Sequence, residues 1–209
     1  MILPALSRWK ARPLSIQPAT YSKAFTVPNL LTYGRILAVP AIVAASFLPG
    51  AGAFWVPFVL FALASVTDFF DGYLARVWSQ QSALGRMLDP IADKLLVAVC
   101  LLVLTTQGTV AGWSLWAAVI ILMREIFVSG LREFLADLKV SVPVTRLAKW
   151  KTTVQLVAIA VLLLAPAIEA WLPGVLAVGL TLLWISALLT LYTGYDYFRA
   201  GLVHLMAED

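Results

Sequence analysis

Apolar residues in this chain neither alternate with polar ones at period two nor form a single stripe at helical spacing. They come instead in long, nearly unbroken runs, over about residues 29–48, 54–77, 84–106, 113–137, 147–166 and 172–197. A run of roughly 20 apolar residues is what a helix needs to cross the ~30 Å hydrocarbon layer of a bilayer. The pattern predicts an all-α integral membrane protein with six transmembrane helices. Residues 1–26 then form an N-terminal cytoplasmic or interfacial segment, 27–200 the six-helix domain and 201–209 a C-terminal tail.

Composition strengthens this reading. The chain is 62% hydrophobic and 12% charged, with a mean hydropathy of +0.92. A soluble domain of this length could not cover so much apolar surface. The opening "MILPALSRWKARPLSIQPATYSKAF" has neither the apolar core nor the small-residue cleavage site of a secretory signal. Its Leu, Ile and Trp mixed with Arg8, Lys10 and Arg12 suit an interfacial helix as well as a partly ordered tail. The one cysteine, Cys100, excludes an internal disulfide and reads as packing.

Charge sets the orientation. The connections near 49–53, 107–112 and 167–173 hold no Lys or Arg. The N-terminal segment, the 78–83 turn with Arg76 and Arg86, and the 138–151 connection hold nearly all of them. The positive-inside rule then puts both termini in the cytoplasm. A net charge of +4 and a pI near 9.4 become a basic cytoplasmic rim, suited to anionic lipid headgroups or phosphorylated solutes. No aromatic-interleaved basic domain exists to hold nucleic acid. Trp113, Trp116, Trp171 and Trp184 read as interfacial or lipid-facing residues, and His204 as solvated in the tail.

Against this apolar background stand four aspartates, Asp68, Asp71, Asp89 and Asp93. The short turn "WSQQS" makes spans two and three antiparallel neighbours. Counted outward from its centre, Asp68 matches Asp93 and Asp71 matches Asp89 within a residue. Spacings of three and four put each pair on one helix face, so all four converge near the cytoplasmic side. Such a cluster cannot stay fully ionised at low dielectric without positive charge. Protonation, salt bridging and divalent metal all relieve it, and hard oxygen donors without His or Cys favour magnesium or manganese over zinc. Intramembrane acids of this kind are usually functional. Gly72, Ala75 and Gly85, on or near the same faces, allow close helix packing or backbone access for a flat ligand.

The string Asp68-x2-Asp71-Gly72-x2-Ala75-Arg76-x8-Gly85-x3-Asp89-x3-Asp93 resembles, at every fixed position, the motif of the CDP-alcohol phosphotransferase family. "VPNLLTYGRI", "REIFVSGLREF" and "KWKTTVQL" extend the likeness to the bacterial phosphatidylglycerophosphate synthases of that family. One departure is Ala148, where a glycine is expected. The resemblance implies transfer of a phosphatidyl group from CDP-diacylglycerol to sn-glycerol 3-phosphate, with release of CMP, and a homodimer in the bacterial inner membrane. It implies two divalent cations, Mg2+ or Mn2+, held by Asp68, Asp71, Asp89 and Asp93, with Asp93 also the base. It places CDP-diacylglycerol against Asn29, Thr32, Arg35, Gly72, Ala75, Arg76 and Gly85. The acceptor phosphate falls to Arg124, Arg132, Lys149 and Lys151.

Bland readings stand beside several of these. Arg35 reads also as a snorkelling residue, and Lys149 and Lys151 as headgroup anchors. Glu125 and Arg132, seven apart, suit an internal ion pair. Inositol-phosphate, serine and phosphatidylglycerol acceptors are rivals within the family. A divalent-cation transporter is the rival outside it, disfavoured by the apolar outer halves of the spans.

Overall fold

The computed structural model describes residues 27–77, 83–137 and 146–205. They form α1 (Val27–Ala45), α2 (Gly52–Val77), α3 (Ala83–Thr106), α4 (Ser114–Asp137), α5 (Arg146–Ile168) and α6 (Val175–Leu205), with no strand among the described residues. Each helix follows one apolar run within a few residues. The exception is the end of α6, which continues to Leu205 rather than stopping near 197. Leaving an apolar environment does not end a helix; a breaker does, and no proline lies there. Residues 201–205, expected in the tail, therefore belong to the last turns of α6. The N-terminal segment, the "WSQQS" turn and most of the 138–151 connection lie outside the described residues.

Among the described residues, three helical stretches are long and apolar enough to cross a membrane: Ser114–Ala136, Trp150–Ile168 and Val175–Tyr195. Shorter apolar helices cover Asn29–Ala45 and Gly52–Asp68. The shortfall has a physical source, since polar and acidic residues gather on α1, α2 and α3. The protein is an all-α membrane protein.

Tight connections hold the ends opposite the acids. Gly50 (φ 62°), Gly108 (φ 74°), Gly112 (φ 57°) and Gly174 (φ 92°) take the left-handed conformation there. Glu169 caps α6, its carboxylate accepting from the backbone N–H of Gly174 and of Leu176, both at 2.8 Å. Gln107 ties the α3–α4 connection to the first turn of α2 by donating to the carbonyl of Ala53 at 3.1 Å. Trp113 and Trp171 are exposed in these connections and Trp116 on the first turn of α4. Trp184 is partly buried against the core instead of facing outward.

The helices group as α1 with α2 and α3, and α6 with α4 and α5, while α2 also meets α5. Among the described residues, α2 and α3 share no extensive contact of their own, and α1 lies along both. The hairpin expected to pack directly is therefore bridged by α1. The main core joins the two groups through Ile42, Phe61, Cys100, Leu104, Ile121, Leu162 and Leu183. Cys100 is fully buried there, as packing requires.

At the α5–α6 contact, a Cβ on Gly179 would stand 2.8 Å from Leu162 Cδ2 and 3.1 Å from Val161 Cγ1. Hydrogen at this position is what lets the two backbones approach. Gly179→Val should lower the thermal unfolding midpoint, since overpacking costs about 1–3 kcal/mol. Combining it with Leu162→Ala should cost less than the sum of the two single changes. Additive losses in detergent or nanodiscs would place the strain elsewhere.

Candidate active site

Positive charge reaches the acids from α1. Asn29, Thr32 and Arg35 share one face of that helix and all three are buried. The Arg35 side chain is 0% exposed, and its Nη1 lies 2.7 Å from Asp68 Oδ1 on α2 while also donating to Asp93 Oδ1 on α3. One turn earlier, Thr32 Oγ1 donates to Asp89 Oδ1 at 2.5 Å. The equal-depth count thus brings Asp68 and Asp93 to one guanidinium, with Asp89 beside it. Pro90 follows directly within α3, removing one helical N–H next to Asp89.

The carboxylates are not sealed in. Asp68 is 39% and Asp93 48% exposed on the side away from Arg35. One guanidinium facing two carboxylates leaves the group net negative, and carboxylate oxygens are a donor set of hard-cation chemistry. Among the described residues no three carboxylate, imidazole or thiolate side chains form a metal-ready group. Asp71, Gly72, Ala75 and Arg76 lie on the last turns of α2, and their side chains are outside the described set. Gly85 is buried in the first turn of α3. In donor type the residues fit a divalent cation.

A second charged group lies on α4 and α5. Lys151, buried near the start of α5, donates to Glu125 Oε1 on α4. Arg124 Nη1 stands 3.7 Å from the same oxygen, and its Nη2 donates to Thr193 Oγ1 on α6 at 3.2 Å. Gly194 gives Arg124 its room, because a Cβ there would sit 3.2 Å from Arg124 Cγ. The Glu125 ion pairs are thus with Lys151 across helices and with its neighbour Arg124 on α4. Arg132 is exposed two turns further along α4, and Lys149 lies in the first turn of α5 with its side chain outside the described set.

Sequence reasoning missed several of these partners. Thr193 and Ser129 carry no signal of their own in the chain. Lys94 follows Asp93 directly, yet its ammonium turns away from the acids and donates to Ser129 Oγ on α4. Ser129 stands four residues after Glu125, so helical spacing could have marked it as part of the same face.

Fold and site together define an α-helical membrane protein that keeps part-exposed carboxylates and buried cations among its helices. The chain belongs to the CDP-alcohol phosphatidyltransferase family, whose profile matches residues 25–192. Divalent-cation dependence is general in that family. It is 42% identical to the CDP-diacylglycerol–glycerol-3-phosphate 3-phosphatidyltransferase of Cereibacter sphaeroides, over 88% of this chain and 99% of that protein. The Rickettsia felis enzyme of the same name is 45% identical, covering 83% of this chain and 94% of its own. That of Salmonella choleraesuis is 42% identical, over 85% and 95% respectively.

The Arg35 clamp makes a stability prediction. Removing one partner of a buried ion pair costs roughly 3–5 kcal/mol, and the part-exposed carboxylates place this case toward the lower end. Arg35→Met should lower the unfolding midpoint in nanodiscs clearly, and Arg35→Lys should recover part of the loss. An unchanged midpoint in Arg35→Met would remove the clamp as the link between α2 and α3.

Proposed function

We propose that this protein transfers the phosphatidyl group of CDP-diacylglycerol to sn-glycerol 3-phosphate, giving phosphatidylglycerol phosphate and CMP. The observation that carries the reading is the pairing of an acid face on α2 and α3 with a buried cation group on α4 and α5. Donor and acceptor both bring phosphate, and the chemistry needs negative charge offset on each. The relatives that share 42–45% of their residues with this chain carry the name of this reaction.

Asp68, Asp71, Asp89 and Asp93 would hold two divalent cations, Mg2+ or Mn2+. Bound there, the cations would offset charge on the pyrophosphate and on the attacking and leaving oxygens. Asn29, Thr32, Arg35, Gly72, Ala75, Arg76 and Gly85 line the donor side. Arg35 and Thr32 act there at least partly through the acids they hold. The acceptor's phosphate is assigned to Arg124, Arg132, Lys149 and Lys151. With the acceptor so placed, its primary hydroxyl attacks the phosphorus that bears the diacylglycerol. The hydroxyl proton passes to the Asp93 carboxylate, the bond from that phosphorus to the CMP oxygen breaks, and CMP leaves. Asp93 is suited to the part because its carboxylate is 48% exposed, more open than that of Asp68.

The wider assignment is a six-span homodimer in the bacterial inner membrane. Both termini and the site then face the cytoplasm, where soluble acceptor and CMP exchange.

The direct test supplies purified protein with CDP-diacylglycerol and several alcohols and follows CMP release. sn-Glycerol 3-phosphate should support far faster release than glycerol, serine or inositol, and chelation should abolish it until magnesium or manganese is added. Equal turnover with glycerol would remove the acceptor assignment; full activity after exhaustive chelation would remove the cations.

Two neighbouring acids should also part company. Asp93→Asn keeps a metal-binding carbonyl but cannot take the proton, so turnover should fall at least about 10²–10⁴-fold while donor binding survives. Asp68→Asn should lose donor affinity together with turnover. Donor binding and turnover measured side by side decide it, and identical loss of donor binding in both would refute the division.

A further inference from the structure

Charge accounting among the described ion pairs sets Lys94 apart. Arg35 faces Asp68 and Asp93, while Lys151 and Arg124 face Glu125. Lys94, only part exposed, has a single described partner, the neutral hydroxyl of Ser129. An ammonium carries three donors, so two remain for a ligand. A cation held in a membrane-embedded bundle against a neutral group is costly unless an anion joins it.

The place of this cation is informative. Ser129 lies one turn beyond Glu125 on α4, about 6 Å along the axis. Lys94 from α3 and Lys151 from α5 therefore approach the same α4 face one turn apart. Arg132 continues that face three residues further on, toward the end of α4. On α3, Lys94 is also the immediate neighbour of Asp93. Adjacent helical positions point about 100° apart, so a group bound at Lys94 sits on the α4-facing side of the same helix that carries the carboxylate assigned to take the proton.

We propose that Lys94, with Ser129, binds the phosphomonoester dianion of the acceptor on the side nearest its reacting hydroxyl. The inference rests on the reading of the acceptor as a phosphorylated alcohol. Lys94, Arg124 and Lys151 against Glu125 give a net charge of +2 among these described groups, which matches a phosphate dianion. Glu125 then sets that balance as well as holding Lys151 in place. Lys94 tethers the acceptor's phosphate to the helix that carries Asp93, so that binding also brings the hydroxyl toward its base.

The test compares wild type, Lys94→Met, Lys94→Arg and Ser129→Ala in nanodiscs. Lys94→Met should raise KM for sn-glycerol 3-phosphate roughly 10–100-fold, the loss expected for one charge-assisted contact. KM for CDP-diacylglycerol should stay within about twofold, and Lys94→Arg should restore much of the acceptor affinity. Because the described partner of this cation is a neutral hydroxyl, the unfolding midpoint of Lys94→Met should hold or rise, which a structural lysine would not allow. sn-Glycerol 3-phosphate should stabilise wild type against unfolding and Lys94→Met much less. An unchanged acceptor KM, or equal rises for donor and acceptor, overturns the proposal. Should Lys94→Met fail to fold, Ser129→Ala carries the same test with a smaller shift. Wild type that rejects sn-glycerol 3-phosphate would fail the functional reading instead. Lys94 is then judged by stabilisation with inorganic phosphate, where equal protection of wild type and Lys94→Met overturns it.

Discussion

Carboxylates placed at membrane depth need positive charge within a few ångströms, and everything on the inner half of this bundle follows from how that need is met. Arg35 on α1 supplies it to Asp68 and Asp93 at once. To do so, α1 must lie along both α2 and α3, which is how the helices are arranged. Bringing the two acid helices together without that arginine would have packed carboxylate on carboxylate with no positive charge between them. With α1 as the bridge, each acid keeps one side for Arg35 or Thr32 and another side open. One guanidinium shared by two carboxylates leaves the group net negative, so it still attracts cations.

The second polar group has the opposite sign and sits on different helices. Glu125 holds Arg124 and Lys151 apart from the acids, and Thr193 and Gly194 on α6 form the back wall for Arg124. Two phosphate-bearing substrates repel each other in a low-dielectric site. On the proposed function, dividing the site by charge sign answers this, with the donor's pyrophosphate on the acid side and the acceptor's phosphate on the cation side. Lys94 breaks the division by standing on the acid helix while reaching toward α4. That exception is what joins the two halves.

How much of this was legible in the chain depended on whether the contact lay within one helix or between two. The six helices followed from run length, and the meeting of Asp68 with Asp93 followed from counting along a hairpin. Asn29, Thr32 and Arg35 were seen to share a face, but periodicity does not say which helix a face meets. Their contact with the acids therefore had no sequence signal. Glu125 shows the same limit: heptad spacing offers Arg132 as its partner, whereas the bundle supplies Lys151 from α5. Lys94 was placed correctly beside the acids in sequence, yet its rotation about α3 turns it the other way. The end of α6 was misjudged because hydropathy marks where a membrane ends, not where a helix does.

The outer half explains why the chemistry has one entrance. Leu101, Leu104, Ile121, Leu162, Leu163 and Leu183 are essentially fully buried, and among the described residues the buried polar groups beyond Lys151 are neutral amides and hydroxyls. An ion leaving the acids outward would meet hydrocarbon with no charged relay, which weighs against transport. Glycine-bent connections, the Gln107 tie and the Glu169 cap also fasten that end of the bundle together. The open sides of Asp68 and Asp93 belong to the other end, close to the start of α3 and the end of α2. On the proposed function, a soluble acceptor and a soluble nucleotide product enter and leave there, while a lipid-linked donor reaches the same acids between helices from the membrane itself.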